Sequence, residues 1–380
     1  MAYFDNAATT FPKPEEVYQF MDAFYRNYGV NIGRGTYDTT LTASSVMEDT
    51  RNLLLELFHA KGKRVLFQPT ATEALNLVIR GLSWHDGMVV YVTPFEHNAV
   101  IRTLNYILKD YKLRVIELAV DKNTLSYQLE KIAYQFQDAK PSVVIASHAS
   151  NVCGVIAPIE EIFPLAKKYS AVTVADMSQT AGLVDVDVIA AQVDYAIFAG
   201  HKTLYGPFGA SGVVSPSDTN LLPLILGGTG IESANPLMPD ILPEKYEAGS
   251  HNVQAIAGLY AALKWSKQTG ISVIRERESK ARERLIAVLS DYSFIRVIKG
   301  DAPAVGVVSC TFNGYSSDSI GQVLNEHGIA CRVGLHCAPT AHRFLRTFPA
   351  GTVRFSVSYF TSDEDFEKLQ SALDYIEDNI

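Results

Sequence analysis

The chain has 380 residues, 47% hydrophobic and 19% charged, the proportions of a globular protein that buries a sizeable core. A formal charge of -8 and a pI near 5.6 argue against a nucleic-acid-binding surface, which needs clustered basic residues. No apolar run approaches the ~18 residues of a membrane span, and four scattered cysteines do not make a disulfide scaffold.

At this length two subdomains are expected around separate cores. The N-terminal Met1-Ala2-Tyr3-Phe4-Asp5-Asn6 lacks the basic and apolar regions of a signal peptide, so a reduced, cytoplasmic setting is expected. Val17, Phe20, Met21 and Phe24 follow the i, i+3, i+4, i+7 pattern of a first helix, with Pro14 near its start. From 64 to 214, short apolar runs at 65–67, 89–92, 113–116, 143–146, 171–175 and 195–199 alternate with amphipathic stretches. That alternation is the pattern of βαβ units and a mainly parallel sheet. Ile256, Leu259, Tyr260 and Leu263 mark a helix closed by Gly270, leading into a C-terminal α+β unit. A helix over 320–327 and a strand over 351–358 follow. The final helix has Phe366, Leu369, Leu373 and Ile376 on one face, with Thr361-x-x-Glu364 as a capping box.

Chemistry concentrates where the apolar runs end. Asp176 closes the run at 171–175, and the run at 195–199 delivers Gly200-His201-Lys202. In open α/β sheets ligands bind beyond the carboxyl ends of the strands, where this carboxylate and this amine would both point. A lysine facing a carboxylate suits a Schiff base with pyridoxal phosphate, the aspartate pairing with the pyridinium nitrogen. Against this stands a surface lysine and a helix-capping aspartate.

Other segments allow two readings each. Thr70-Ala71-Thr72-Glu73 opens a helix whose free N–H groups suit a phosphate, or it is an ordinary capping box. His97, in Phe95-Glu96-His97-Asn98, would lie over a cofactor ring or serve as a structural histidine. Asn151 would donate to a phenolic oxygen or a substrate carboxylate, or is a turn residue before Gly154. Cys337, with His336 beside it and Arg332 nearby, has company that favours a thiolate nucleophile, or is a packing residue. Arg354 interrupts an apolar strand and needs a carboxylate partner, from a substrate or from a structural Asp or Glu.

Together these segments resemble the pyridoxal-phosphate enzymes of aminotransferase class V, in particular the cysteine desulfurase and selenocysteine lyase branch. The motifs that carry the resemblance are Tyr3-Phe4-Asp5-Asn6-Ala7-Ala8-Thr9-Thr10, Ala175-Asp176-x-x-Gln179, Gly200-His201-Lys202-x-x-Tyr205-Gly206-Pro207, Glu247-Ala248-Gly249-Ser250-His251-Asn252 and Arg332-x-Gly-x-His336-Cys337-Ala338. The last is similar to the cysteine-bearing loop of the second of the two desulfurase groups.

The resemblance implies a fold-type-I α/β architecture. A large cofactor domain would span 16–250, and a smaller α+β domain over 251–380 would carry the Cys337 loop and Arg354. Residues 1–15 would be associated with the small domain. It implies pyridoxal 5'-phosphate held by Lys202, with Asp176 on the ring nitrogen, Gln179 on the phenolic oxygen and His97 stacked on the ring. Ala71, Thr72 and His201 would surround the phosphate, joined by Ser250 from a neighbouring subunit of a homodimer with shared sites. Asn151 and Arg354 would hold the substrate carboxylate, with Asn151 also beside the cofactor. Cys337 would take sulfur from L-cysteine as a persulfide, leaving L-alanine and a sulfur for an acceptor protein. No metal is implied. The rival readings are another class V reaction (transamination, selenocysteine lysis or β-elimination) and a catalytically silent cofactor-binding scaffold. Ala71 and Ala199 stand where the family often has hydroxyl residues, and Gly33-Arg34-Gly35 departs from its usual Asn-x-His-Arg-Gly.

Overall fold

The computed structural model describes residues 1–32, 35 and 37–379; Gly33 and Arg34, part of the loop that departs from the family pattern, lie outside them. Strand β1 (Ala2–Tyr3) is followed by helices α1 (Glu15–Tyr28) and α2 (Asp38–Leu57). Then come β2 (Lys63–Gln68), α3 (Ala71–Gly81), β3 (Val89–Val92), α4 (Asn98–Ile107), β4 (Arg114–Glu117) and α5 (Leu129–Asp138). The series continues with β5 (Val143–Ser147), α6 (Ile159–Lys167), β6 (Val172–Asp176), β7 (Tyr195–Ala199) and β8 (Ser211–Pro216). Strands β2 to β8 form one seven-stranded sheet in the order β2-β8-β7-β6-β5-β3-β4. The run from β4 to β7 is parallel throughout, and β8 is antiparallel to both of its neighbours. The mainly parallel sheet read from the alternation is therefore present. Every residue of β5, Val-Val-Ile-Ala-Ser, is buried, as a strand covered by helices on both faces must be.

Leu75 and Val78 of α3 and Val100 and Leu104 of α4 cover one face of the sheet. The other face packs against Leu54 of α2, Ile162 of α6 and Leu259 of α7 (Val253–Thr269). The expected grouping put α7 with the smaller unit. Instead its Ala255, Ile256, Leu259 and Leu263 enter the core of the large sheet, and the helix packs along α1 and α2. Apolar residues run round most of its circumference, and such a helix must be enclosed. Gly270, at φ +89°, ends it where the sequence indicates.

The C-terminal unit contains α8 (Ile271–Ser290), β9 (Ile295–Ile298), β10 (Val307–Phe312), α9 (Ser317–Glu326), β11 (Ile329–Ala330) and β12 (Arg332–Gly334). It ends with α10 (Pro339–Phe344), β13 (Thr352–Ser356) and α11 (Asp363–Asn379). Four of its strands form an antiparallel sheet in the order β12-β13-β10-β9. Phe366, Leu369, Leu373 and Ile376 of α11 pack there with Phe4, Val308 and Phe355. The cap of α11 lies one residue later than the sequence pattern suggests: Ser362 and Asp365 bond reciprocally, whereas the Thr361 hydroxyl accepts the N–H of Ser358. Strand β1 pairs in parallel with β11, which sets Ala2 and Tyr3 against the C-terminal unit. Among the described residues no helix is long and apolar enough to cross a membrane.

Candidate active site

A cavity of about 310 Å3 opens beyond the carboxyl ends of the central strands. Eight of the residues singled out from sequence line it: Ala71, Thr72, His97, Asn151, Asp176, Gln179, His201 and Lys202. They come from the ends of five strands, β2, β3, β5, β6 and β7, or the turns behind them, which is how a doubly wound sheet assembles a site from distant sequence.

Thr70 caps α3, accepting the N–H of Glu73 at 3.1 Å while its hydroxyl donates to the Glu73 carboxylate. Both readings of this segment coexist, because the cap leaves the N–H groups of Ala71 and Thr72 without partners among the described residues. His97 caps α4 in the same way, its Nδ1 accepting the N–H of Ala99 at 3.1 Å. Burial, reinforced by the nearby cations Lys202, Arg332 and Arg102, holds His97 down at about 4, so its ring is neutral.

Asp176 ends β6 with its Oδ1 fixed by the N–H of Ser178 at 3.0 Å and the Ser178 hydroxyl at 2.5 Å. Lys202 faces the same cavity. Burial pushes its amine down to about 8; the Asp176 carboxylate opposes the shift, and Arg354 and Arg332 add to it. The turn that carries Lys202 depends on Gly200, where a Cβ would lie 1.9 Å from the Ala210 carbonyl oxygen. His201 stacks on Phe208 and is held neutral, down at about 3, chiefly by burial. Its Nδ1 is buried with no hydrogen-bond partner among the described residues. Gln179 donates one amide N–H to the Ala7 carbonyl at 2.9 Å, leaving a second for a ligand.

Cys337 borders an adjoining cleft of about 560 Å3, which shares Thr72, His97 and Ala99 with the first cavity and has Arg80 and Arg102 on its wall. Its Sγ lies 3.3 Å from the Arg332 Nη2. His336, by contrast, turns away from the thiol: it is buried, bonds the Thr352 hydroxyl at 2.8 Å and is held neutral by burial. His336 and Cys337 both adopt left-handed backbone, with φ +48° and +58°. Such a conformation costs roughly 1–2 kcal/mol per residue and needs anchoring. The anchors are Asn151 Nδ2, donating to the His336 carbonyl at 2.7 Å, and the Asn98 N–H, donating to the Cys337 carbonyl at 2.7 Å.

Arg354 lies buried behind the cavity on β13, with Nη1 donating to the Asn151 carbonyl and Nη2 paired to Asp5. Of the two partners considered for it, this structure contains the internal carboxylate. Ser250 does not reach its own chain's cavity; it is exposed, in a loop anchored by Glu247. That anchor is a buried, two-point pair with Arg51 at 2.7 and 2.9 Å, and Glu247 also accepts the N–H of Phe67. Sequence reading assigned no role to Ser178 or Asp5. Nor did it assign one to Glu96, a buried carboxylate behind His97 that four donor contacts from Thr93 and Ser147 surround. The Thr93-x-x-Glu96 spacing was the one local signal for that cluster.

An unpartnered histidine nitrogen, free helix N–H groups and a lysine amine opposite a carboxylate suit a flat anionic ligand carrying an aldehyde, with its anion at the α3 N-terminus. The aminotransferase class-V family profile matches residues 2–369. A probable cysteine desulfurase of Methanothermobacter thermautotrophicus is 29% identical over 98% of this chain and 94% of its own length. Another, from Pyrococcus abyssi, is 32% identical over 98% of this chain and 93% of its own. A solved apo structure of a cysteine desulfurase from Thermococcus onnurineus superposes with a TM-score of 0.91 at 28% identity, covering 100% of this chain and 95% of that one. The architecture is that of the fold-type-I pyridoxal-phosphate enzymes.

Proposed function

The chain belongs to the aminotransferase class-V family, and from that premise we propose that it is a pyridoxal-phosphate-dependent cysteine desulfurase. It converts L-cysteine to L-alanine and passes the sulfur to Cys337 as a persulfide. The observation that carries this reading is Cys337 at the border of a cleft that shares Thr72, His97 and Ala99 with the Lys202 cavity, its sulfur held 3.3 Å from the Arg332 guanidinium.

The cofactor, when bound, supplies the electron withdrawal that makes the substrate Cα–H acidic. The protein's residues do the rest. Lys202 Nζ, an amine held at about 8, holds the cofactor and later takes the Cα proton. Asp176, fixed by Ser178, keeps a proton on the ring nitrogen, and neutral His97 offers an uncharged face for stacking. Thr72, His201 and the N–H groups of Ala71 and Thr72 bind the phosphate, and Gln179 donates to the phenolic oxygen. Arg354 and Asn151 take the substrate carboxylate. Cys337 Sγ then attacks the substrate sulfur. An S–S bond forms, the Cβ–S bond breaks with its electron pair passing to Cβ, Cβ takes up the proton given up by the Cys337 thiol, and Lys202 returns the Cα proton to complete alanine.

Ser250, exposed and away from its own cavity, is suited to complete the phosphate site of a partner subunit in a homodimer. A thiol on an acceptor protein would remove the persulfide. The test is Cys337→Ser in the holoenzyme. The variant should bind L-cysteine and change the visible spectrum yet release almost no alanine, and mass spectrometry of the wild type should find one added sulfur on the Cys337 peptide. Alanine formation by the variant at the wild-type rate overturns the reading.

A further inference from the structure

The carboxylate-binding arginine of this site already has a carboxylate. Arg354 Nη2 donates to Asp5 Oδ1 at 2.7 Å, Nη1 donates to the Asn151 carbonyl at 3.0 Å, and Nε is buried without a partner among the described residues. The exposures of the two side chains differ: 1% for Arg354 and 22% for Asp5. Asp5 is therefore the more open member of the pair, and its carboxylate occupies Nη2 of a guanidinium that is otherwise closed off. The remaining charged company of Arg354 includes the Arg332 guanidinium and the Lys202 amine. Among the described residues Asp5 is the one acid paired to it.

The backbone that carries Asp5 is tied down on both sides. The Phe4 N–H donates to the Ala330 carbonyl at 2.8 Å, and the Phe4 carbonyl accepts the N–H of Ser356 at 2.6 Å. The Ala7 N–H donates to the Ser356 hydroxyl at 2.8 Å. Further along, Thr9 Oγ1, the Thr10 N–H and Lys13 Nζ all donate to the carbonyl of His201, at 2.9, 3.1 and 2.6 Å. The Thr10 hydroxyl donates to the carbonyl of Lys202 at 2.6 Å. These bonds hold the backbone on both sides of Asp5, and none of them uses its carboxylate.

We propose that Asp5 is a placeholder carboxylate: it covers the substrate edge of Arg354, gives way to the substrate's α-carboxylate, and so sets how tightly carboxylates bind. The inference rests on the carboxylate role given to Arg354 above. Without Asp5, a buried guanidinium among cations would stand unpaired, and an incoming anion would no longer have to displace an existing partner.

The experiment measures the binding of 3-mercaptopropionate, a carboxylate and thiol with no amine, to the holoenzyme by calorimetry. Asp5→Asn should lower the dissociation constant about tenfold, and propionamide, the neutral control, should show no such gain. The melting temperature of Asp5→Asn should be lower than that of the wild type and should rise more on adding the probe. A merely structural Asp5 would leave the affinity unchanged or weaken it, and either result overturns the proposal, as does failure of the wild type to bind the probe. If Asp5→Asn does not fold, a crystal structure of the wild type with 3-mercaptopropionate decides. Asp5 should have left the guanidinium, and retention of the Asp5–Arg354 pair beside the bound probe overturns the proposal. Alanine release from L-cysteine is measured separately and bears on the desulfurase reading alone.

Discussion

Replacing Asp176 by asparagine removes the carboxylate that opposes the effect of burial on the Lys202 amine. In the wild-type chain that amine sits at about 8, against 10.5 for an ordinary lysine. At 1.36 kcal/mol per pH unit, the enclosure disfavours the ammonium by about 3 kcal/mol. At pH 7.5 an ordinary lysine is neutral roughly once in a thousand molecules, and burial raises that fraction for Lys202 by one or more orders of magnitude. An opposite charge close by shifts a titration by roughly one unit or more in favour of the charged form. Loss of Asp176 should therefore move Lys202 from about 8 to roughly 7. The sign is set by the charge: with the anion gone the ammonium is less favoured, and the neutral amine persists to lower pH. Competitive acetylation of the cofactor-free chain across pH 5.5–10, read by mass spectrometry on the Lys202 peptide, measures the midpoint directly. A wild-type midpoint near that of a free lysine would refute the enclosure argument, and an upward shift in Asp176→Asn would refute the pairing.

Two further outcomes test the supports of the site. Asn151→Ala removes the donor that pins the left-handed His336 carbonyl, and should cost about 1–2 kcal/mol while raising the rate at which iodoacetamide alkylates Cys337; an unchanged alkylation rate would mean that the loop is held elsewhere. Glu247→Gln breaks the buried pair with Arg51 beneath the Ser250 loop, and should lower stability in urea by about 3–5 kcal/mol, against less than 1 kcal/mol for the exposed pair tested by Glu56→Gln.

What could be read from the sequence and what could not divide along one physical line. Asp176 and Lys202 were legible because a strand's end fixes where the next side chains point, and β6 and β7 announce themselves as apolar, β-branched or aromatic runs. The α7 helix was assigned to the wrong unit because its periodicity says that it is buried, not against what. Thr361 and Ser362 each precede an acidic residue by three positions. The choice between them fell to a tertiary contact, since the N–H of Ser358 already occupies the Thr361 hydroxyl. The same holds for His336, whose adjacency to Cys337 suggested partnership until two left-handed residues turned its ring towards Thr352. Asp5 is the extreme case: it carries no periodic signal, and its partner lies 349 residues away.

That separation has a consequence for the order in which the protein can be built. During synthesis the segment holding Asp5, Thr9, Thr10 and Lys13 emerges first, yet β11 and β13, which it must join, emerge only near the other end of the chain. The large sheet between them can be complete well before that. Until Ile329–Ser356 follow, the leading strand has nothing to pair with, and a buried guanidinium and the Cys337 loop do not yet exist. A chain halted after α7 would thus display the lysine turn with its clamp docked only at the His201 and Lys202 carbonyls. The Lys202 turn is assembled early and the Cys337 loop late, and the first residues translated are among the last to find their place.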